Sequence, residues 1–367
     1  MSLYLCVDCG GSKTSAVICD TYGNIIGRAL GGPSNFAYLS LDAFVVAITE
    51  TVTAALEKSS PLSDDPITLP PTSGTPFAAA WFGVSGVDSS AAVAAITPAL
   101  SKLLGIPEGP RLIIANDTHL LAAPVRMYPD VSHAVAVIGG TGSIAVTFRE
   151  NAGKLEELGR VGGWGWILGD EGGGFHVGRE AIRQILMEHD KASIGTPLAH
   201  SKLKDKIMDL FGIADVMEIL TIIHLPDPPV NATPDSNLLS HLSMPREKRL
   251  SSLSPLVFSA AFEEGDALAL RVLRTCAGHL AEQISVLLGE ISEEKPRAVK
   301  AQDSVVSFGG SLVGIAEYRN LVLEHLAKRG HVFRHVEFVN DAAATGAVGL
   351  VAGFVTSGIT STNVHEC

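Results

Sequence analysis

Short apolar blocks separated by glycine turns open the chain, which is the pattern of consecutive β-strands. Three such blocks follow one another at residues 3–8, 14–20 and 25–30, and Val, Ile or Leu recurs in each. The Gly10-Gly11 pair lies in the turn between the first two. Blocks of this length bounded by glycine predict three strands joined by tight turns.

Helical spacing follows, and helices then alternate with strands. The pattern predicts a helix from Leu41 to about Glu57 and another from Ser90 to Leu104, with strands at residues 78–86 and 111–117. Such alternation is typical of a mostly parallel sheet in an α/β protein. The Pro- and Ser-rich run at residues 59–76 is predicted to be a surface loop.

The opening layout returns in the middle of the chain. From His133 onward an apolar strand, a Gly-Gly pair followed by Thr, a second strand and a later glycine turn repeat the order seen at the start. Two copies, each opening one half of a 367-residue chain, suggest a duplicated unit and two domains. Facing halves of that kind form a cleft, and both Gly-Gly turns could point backbone amides into it.

The second half of the chain is more helical. Helices are predicted at residues 174–189, 202–210, 255–264 and 266–288. A strand at 304–310, a helix, a strand at 331–339 and a final helix from Asp341 complete the pattern. Residues 227–240 are predicted to be a loop or small insertion.

Composition narrows the class of protein. Hydrophobic residues make up 46% and charged residues 18% of the chain, as in a well-packed soluble enzyme. The formal net charge of -12 argues against nucleic acid as the main partner. The uncharged segment at 342–364 is rich in Gly, Ala, Ser and Thr, so a buried helix and tail are expected there rather than a membrane span. Five scattered cysteines and the lack of a basic leader indicate a cytoplasmic protein.

Two glycine turns are candidates for holding phosphate. The first offers Gly10, Gly11, Ser12, Lys13 and Thr14, and the second offers Gly140, Thr141 and Gly142. Each lies between two strands and so fails the strand-to-helix Walker A pattern, but the free amides of a hairpin turn can still wrap a phosphate chain. Asp8, at the end of the first strand, is a candidate ligand of Mg²⁺ through water. An ordinary hairpin is the alternative for either turn.

A third glycine turn lies between a strand and a helix. It contains Gly309, Gly310 and Ser311. Its flat surface suits an adenine ring or a ribose, and a tight βα turn explains the same residues equally well.

The carboxyl end of a strand is where α/β sheets bind ligands, and Asn116 and Asp117 lie at one. An Asp there can take the proton from a substrate hydroxyl that attacks a phosphate. A helix N-cap is the alternative role. Asn35 and Ser85 follow other turns and offer neutral hydrogen-bonding groups to a polar ligand, or are plain turn residues.

A glycine-rich loop at residues 161–178 carries Trp164, Trp166, Asp170 and Glu171. These residue types suit a sugar, because an indole ring stacks on a pyranose face and carboxylates accept hydrogen bonds from hydroxyls. Glycine lets the backbone amides approach the ligand. A packed loop around a buried Trp is the alternative.

The motifs DCGGSKT, SNF, GVSG, NDTHLLA, GGTGS, GGWGWILGDEGGG and SFGGS, in this order, resemble the N-acetylglucosamine kinase family. That family lies within the BadF/BadG/BcrA/BcrD-type ATPases of the acetate and sugar kinase, heat-shock chaperone and actin superfamily. The resemblance runs from Val7 to Gly349 and implies an α/β fold of two ribonuclease-H-like domains facing each other across a central cleft. Residues 1–125 and 126–367 would form them, with the last helix able to return to the first domain.

The resemblance also implies roles for individual residues. Asp117 matches the base for the sugar 6-hydroxyl, Ser12 and Thr141 match contacts to the ATP phosphates, and Gly309 lies in the adenosine motif. Positions that contact the sugar are matched by Asn35, Ser143, Ile144, Gly163, Trp164, Gly165 and Asp170.

Departures from the family bear on which sugar is bound. Cys9 and Gly139 stand where the family commonly has Gly and Ser, and Phe36 replaces a His of some relatives. The loop at 59–76 and the region at 224–254 match nothing in the family. The expected reaction is phosphorylation of N-acetylglucosamine at its 6-hydroxyl, with ATP and Mg²⁺. Glucosamine, N-acetylmannosamine, N-acetylmuramate and glucose are alternative substrates, and a homodimer is left open.

Other classes of protein share this fold. An ATPase activator of a 2-hydroxyacyl-CoA dehydratase or reductase holds a cluster between subunits, and the cysteines here are poorly placed for that. A non-catalytic sugar sensor would lack the base. A DNA-binding repressor would carry a helix-turn-helix region before the first strand.

Overall fold

The computed structural model describes residues 2–59, 68–72, 74–151, 154–229, 240–290, 292–293 and 295–356. In these ranges the chain forms two mixed five-stranded sheets with helices packed on them, which confirms the α/β fold. Much of the predicted surface loop at 59–76 and of the predicted insertion at 227–240 lies outside the described residues.

The first sheet places its parallel strands beside an antiparallel hairpin unit. It contains β1 (Leu3–Cys9), β2 (Thr14–Cys19), β3 (Ile25–Gly31), β4 (Phe77–Val84) and β5 (Leu112–Ala115), in the spatial order β3-β2-β1-β4-β5. The first three strands pair antiparallel, as their glycine turns predict, whereas β4 and β5 join in parallel. Asp8 lies opposite Gly83 of β4, next to the carboxyl ends of both strands.

The second sheet repeats this arrangement. It contains β6 (His133–Gly139), β7 (Ser143–Asn151), β8 (Lys154–Gly162), β9 (Ser304–Gly309) and β10 (His335–Phe338), in the order β10-β9-β6-β7-β8. The strands β6, β7 and β8 pair antiparallel, and β9 and β10 join in parallel. Counted from its other edge, the order β8-β7-β6-β9-β10 corresponds strand by strand to β3-β2-β1-β4-β5 of the first sheet. The predicted duplication of the unit is therefore confirmed.

Helices cover both sheets. They are α1 (Leu41–Ser59), α2 (Ser90–Leu104), α3 (Thr118–Leu121), α4 (Gly174–Ser193), α5 (Lys202–Phe211), α6 (Glu218–His224), α7 (Arg246–Ser251), α8 (Ser254–Phe258), α9 (Ala267–Ser285), α10 (Ala316–Lys328) and α11 (Ala342–Thr356). In the described ranges, none is both long and apolar enough to cross a membrane.

Three predicted elements differ from the structure in extent or in helix type. The helix predicted at 255–264 is α8 followed by a π-helical turn at Ser259–Glu263. Helix α9 begins only after Asp266, because the carboxylate of this residue caps it by accepting a hydrogen bond from the backbone N–H of Ala269 at 2.8 Å. The strand predicted at 331–339 is limited to β10, the part that pairs with β9.

Helix α11 packs on the first sheet although it follows the second in sequence. Ala343 and Ala347 are buried against Cys6 of β1 and Trp81 of β4. The approach is so close that a Cβ at Gly346 would lie 2.5 Å from the Cys6 sulfur. The two sheets are therefore joined both by the segment after β5 and by the packing of this helix.

Candidate active site

A cavity of about 490 Å³ lies between the two sheets. Asn116 and Asp117 line it from the segment after β5, and Ile144 and Gly163 line it from the β7–β8 side. The fold thus brings residues far apart in the sequence to one place. All four were singled out from the sequence as substrate or catalytic residues.

Asp117 directs its carboxylate away from the helix it precedes. It occupies the N-cap position of α3 but makes no side-chain capping bond. Asn116 takes that part instead, since its Oδ1 accepts hydrogen bonds from the backbone N–H of Thr118 at 3.0 Å and from the Thr118 hydroxyl at 2.8 Å. The carboxylate of Asp117 accepts a hydrogen bond from the hydroxyl of Ser85 at its Oδ2. Its second oxygen has no protein donor among the hydrogen bonds of the described residues.

Ser85 is held beside this carboxylate by backbone contacts, and Asn35 packs against the same turn. The backbone N–H of Ser85 donates to the carbonyl of Cys9 at the end of β1, at 2.9 Å, and its carbonyl accepts from Phe36 at 3.0 Å. Gly86 has a φ of +83°, and a Cβ there would lie 2.6 Å from Oδ1 of Asn35. Asn35 therefore lies directly against the turn that carries Ser85.

Asp8 lies in a group of carboxylates. Burial, with added repulsion from Asp117 and Asp341, raises the pKa of Asp8 to about 6, and Lys13 offsets this in part. Partly buried carboxylates that repel one another fit an oxygen-ligated divalent cation, because the ion would stabilise their charged forms. The residues present here thus fit Mg²⁺.

Asp341 is a further acidic residue of this group, and no sequence motif marked it. It follows β10 and precedes α11, and its Oδ1 accepts a hydrogen bond from the backbone N–H of Ala344 at 2.9 Å. Asn340-Asp341 stands at the end of β10 as Asn116-Asp117 stands at the end of β5. The Asn-Asp pair in both copies of the unit was the signal that could have revealed it.

The first glycine turn is tight and mostly exposed. The backbone N–H of Gly10 donates to the carbonyl of Lys13 at 3.0 Å, and Gly11, Ser12 and Lys13 face solvent. Thr14 lies apart from them. It is fully buried, and its hydroxyl donates to the carbonyl of Gly32 at 2.6 Å, so it holds the turn rather than facing the cleft.

The second and third glycine turns touch each other. The carbonyl of Gly139 accepts from the backbone N–H of Leu312 at 2.9 Å. Gly310 has a φ of +102°, and a Cβ there would lie 2.7 Å from that same carbonyl oxygen. Gly309 is buried at the end of β9, against the side chain of Leu121.

A smaller cavity of about 270 Å³ opens beside these two turns. Thr141 and Ser311 line it, as do Lys248, Ser251 and Ser252. The last three belong to α7 and the residue after it, in the region that matched no motif. No glycine pair or strand end marks them in the sequence, so no motif points to them.

The glycine-rich loop is fastened to the second turn through Ser143. Oδ1 of Asp170 accepts from the backbone N–H of Ser143 at 3.1 Å, and the carbonyl of Glu171 accepts from the Ser143 hydroxyl at 2.7 Å. Asp170 has a φ of +64°, a left-handed conformation that is rare outside glycine. Gly142 is required for this contact, since a Cβ there would lie 2.5 Å from Oδ1 of Asp170.

The tip of this loop presents apolar side chains to solvent. Trp164, Ile167 and Leu168 are 61%, 73% and 76% exposed. Gly165, with a φ of +80°, forms the bend next to Trp164. The alternative of a loop packed around a buried Trp does not describe Trp164.

The chain is similar to known proteins over most of its length. The family model of the BadF/BadG/BcrA/BcrD ATPase family matches residues 5–351. An N-acetyl-D-glucosamine kinase from Dictyostelium discoideum is 25% identical over 296 residues, 80% of this chain and 81% of that protein. An N-acetylmuramic acid/N-acetylglucosamine kinase from Clostridium acetobutylicum is 24% identical over 302 residues, 82% of this chain and 83% of that one. The solved structure of a candidate N-acetylglucosamine kinase from Chromobacterium violaceum has a TM-score of 0.56 at 22% identity, covering 96% and 99% of the two chains, and so shares the fold.

Proposed function

Because the chain belongs to the BadF/BadG/BcrA/BcrD ATPase family, we propose that it is an ATP-dependent sugar kinase acting on the 6-hydroxyl of N-acetylglucosamine. The observation that carries this proposal is the position of Asp117. Its carboxylate lies in the cavity between the sheets, free of any capping role and aligned by Ser85.

Asp117 is the proposed base. With Oδ2 held by Ser85, its other oxygen accepts the proton of the sugar 6-hydroxyl as the hydroxyl oxygen attacks the γ-phosphorus of ATP. The bond from that phosphorus to the β,γ-bridging oxygen breaks, which gives the sugar 6-phosphate and ADP. Asn116 keeps the carboxylate available by capping α3 in its place.

The three glycine turns are the proposed ATP site. Backbone amides of Gly11 and Gly142, with Ser12, Lys13 and Thr141, would hold the phosphates, and Gly310 and Ser311 would face the adenosine. The predicted amides of Gly10 and Gly140 instead close their own turns, donating to the carbonyls of Lys13 and Gly142 at 3.0 Å each, and Gly309 is buried beside Leu121. Asp8 would hold Mg²⁺ through water, with Asp341 nearby. When bound, the ion neutralises charge that develops on the phosphates.

The glycine-rich loop and its neighbours are the proposed sugar site. Asn35, Ser85, Ile144, Gly163 and Gly165 would surround the amino sugar. Ser143 and Asp170 hold the loop in place, and Trp164 would cover the ring. Closing the two domains, proposed as residues 1–125 and 126–367, would bury the exposed loop tip and exclude water that competes for the phosphoryl group.

The positions of the cysteines argue against the alternative function, an ATPase activator of a 2-hydroxyacyl-CoA dehydratase. Among the described residues, Cys6, Cys9, Cys19 and Cys276 are all buried, and thiols buried within one chain cannot hold a cluster between subunits. Cys367 lies outside the described residues. Buried thiols without disulfides also support the proposed cytoplasmic location.

An ADP-release assay with ATP and Mg²⁺ tests the proposal. The panel contains N-acetylglucosamine, N-acetylmannosamine, glucosamine, N-acetylmuramate, glucose and no sugar. We expect the highest kcat/KM with N-acetylglucosamine. If another sugar gives the highest kcat/KM, the proposed substrate is wrong but the proposed kinase activity stands. If the rate of ADP release is the same with and without every sugar, the proposed kinase activity is wrong.

A further inference from the structure

A buried arginine lies in the region at 224–254, which matched nothing in the family. Arg249 belongs to α7 and is 1% exposed. Its guanidinium donates hydrogen bonds at 2.6–3.2 Å to the backbone carbonyls of Ile222, Leu225, Pro226, His241 and Met244. A charged group can be buried when its hydrogen bonds are made, and Asp227 adds a negative charge nearby. Arg249 is therefore satisfied as a buried cation.

The five acceptors come from two segments of the chain. Three of them lie in the last turn of α6 or directly after it, and Nη1 and Nη2 of Arg249 donate to these. A cation is favourable there, because the last carbonyls of a helix carry partial negative charge. The other two lie in or just after the 3₁₀ turn at Ser240–Ser243, and Nε donates to both. One side chain therefore joins α7 to the segments on both sides of the predicted insertion at 227–240.

Helix α7 forms one wall of the small cavity beside the second and third glycine turns. Lys248 lines this cavity, whereas Arg249 does not. The six residues of α7 are too few to form a stable helix by themselves, so tertiary contacts set the position of this wall. One contact is with α4, where a Cβ at Gly178 would lie 1.8 Å from the carbonyl oxygen of Leu250. The hydrogen bonds of Arg249 are the second.

We propose that Arg249 is a positioning residue for ATP, which holds α7 so that Lys248 reaches the nucleotide in the small cavity. This inference rests on the proposed ATP site at the glycine turns. Lys248 is exposed and only weakly paired with Glu247, at 3.9 Å, so the position of its backbone on α7 decides what its ammonium group can reach. Arg249 contacts neither nucleotide nor sugar and acts through α7 alone.

Arg249→Lys tests this role because it keeps the charge and removes the branched donor group. The single nitrogen of lysine cannot join two segments that the planar guanidinium holds together. We expect α7 to lose its fixed position and the Kd for an ATP analogue to rise about tenfold, as for loss of the Lys248 contact itself. The double variant Arg249→Lys/Lys248→Gln should bind no more weakly than Lys248→Gln, because a misplaced Lys248 contributes as little as an absent one.

Calorimetry with adenylyl imidodiphosphate and Mg²⁺, in the absence of sugar, measures these constants. Arg246→Lys is the matched control, since Arg246 lies on the same helix, is exposed and pairs with Asp227. We expect its Kd to equal that of the wild type. Wild-type affinity in Arg249→Lys would overturn the proposal, and so would a Kd of the double variant well above that of Lys248→Gln. A wild type that does not bind the analogue would overturn the proposed ATP site and this inference with it.

Steady-state kinetics and a second variant separate positioning from general stability. In Arg249→Lys the KM for ATP should rise, while kcat and the KM for sugar stay at the values of Arg246→Lys. Gly178→Ala pushes α7 away from α4 without changing a residue that lines the cavity, and should raise the Kd for the analogue as well. It replaces Arg249→Lys as the test if circular dichroism shows that the latter does not fold. A folded Gly178→Ala protein with the wild-type Kd would then overturn the proposal.

Discussion

Ser85, at the turn after β4, donates its hydroxyl hydrogen bond to Oδ2 of Asp117, which follows β5. The bond links the ends of two neighbouring parallel strands at the cavity between the sheets. It orients the carboxylate and leaves one oxygen for a substrate. The position of Asp117 in the cavity and its contact with Ser85 together underlie the proposed base.

Ser85→Ala should therefore lower kcat more than it raises the KM for sugar. A hydrogen bond to a charged group contributes about 1.5–3 kcal/mol, so we expect a loss of roughly tenfold to a hundredfold in kcat. Steady-state kinetics measure this. Ser90→Ala, in the same cavity wall but without a bond to Asp117, is the control. If Ser85→Ala and Ser90→Ala have the same kcat, the hydrogen bond from Ser85 does not orient the Asp117 carboxylate for catalysis.

Asp8→Asn should stabilise the protein in a pH-dependent way when Mg²⁺ and nucleotide are absent. The pKa of Asp8 is raised from its ordinary value of 3.8 to about 6, so the folded chain binds this proton more tightly than the unfolded chain. The free energy of unfolding of the wild type therefore falls as the pH rises from about 4 to about 6.

The Tm of Asp8→Asn should thus exceed that of the wild type above pH 6, with a difference that shrinks toward pH 4. Paired thermal melts across this range measure it. Asp20→Asn removes an exposed carboxylate whose pKa is lowered, chiefly by its hydrogen bond from the Asn24 side chain, and should show no such gain. If the Tm difference between Asp8→Asn and the wild type does not depend on pH, the pKa of the Asp8 carboxyl is not raised by burial and by its acidic neighbours.

Gly142→Ala should loosen the glycine-rich loop. The new Cβ would lie 2.5 Å from Oδ1 of Asp170 and would break its bond to Ser143. We expect a Tm lower by about 2–4 °C, as for a loss of about 1 kcal/mol, and a higher KM for sugar. Gly32→Ala is the control, because a Cβ there meets nothing within 4 Å. If Gly142→Ala and Gly32→Ala lower the Tm equally, the contact between Asp170 and Ser143 does not stabilise the loop.

Lys248→Gln should weaken ATP binding alone. Lys248 lines the small cavity with Thr141 and Ser311, and its distance of 3.9 Å from Glu247 leaves it only weakly paired. Loss of one charge-assisted contact predicts a KM for ATP higher by about tenfold, with the KM for sugar unchanged. Lys204→Gln on α5 serves as the control. A change in the KM for sugar with no change for ATP would assign Lys248 to a different ligand.

The sequence predicted the parts of the site that depend on backbone geometry. Glycine pairs after strands marked the turns, and Asn116-Asp117 marked a strand end, because each arises from local rules. Asp341 was not predicted, although it follows β10 in the second sheet as Asp117 follows β5 in the first. Thr14 was grouped with the exposed turn, but it begins β2, all of which is buried, and its hydroxyl donates to the carbonyl of Gly32.

Long-range packing explains the other differences. Nothing near Lys248 in the sequence resembles a binding motif, and only the packing of α7 beside the second turn brings it to the small cavity. The stacking of His176 on His279 has the same origin, since these residues lie on different helices that pack against each other. Hydrophobic patterns and secondary-structure propensities do not predict such long-range contacts.

The turnover of Asp117→Asn tests the central claim most directly. Asparagine keeps the shape and the contact with Ser85 but cannot take the proton, so kcat should fall by roughly 10²–10⁴ while calorimetry shows sugar affinity within about threefold of the wild type. Circular dichroism and melting confirm that the variant is folded. A folded Asp117→Asn protein with wild-type kcat would contradict the assignment of Asp117 as the base.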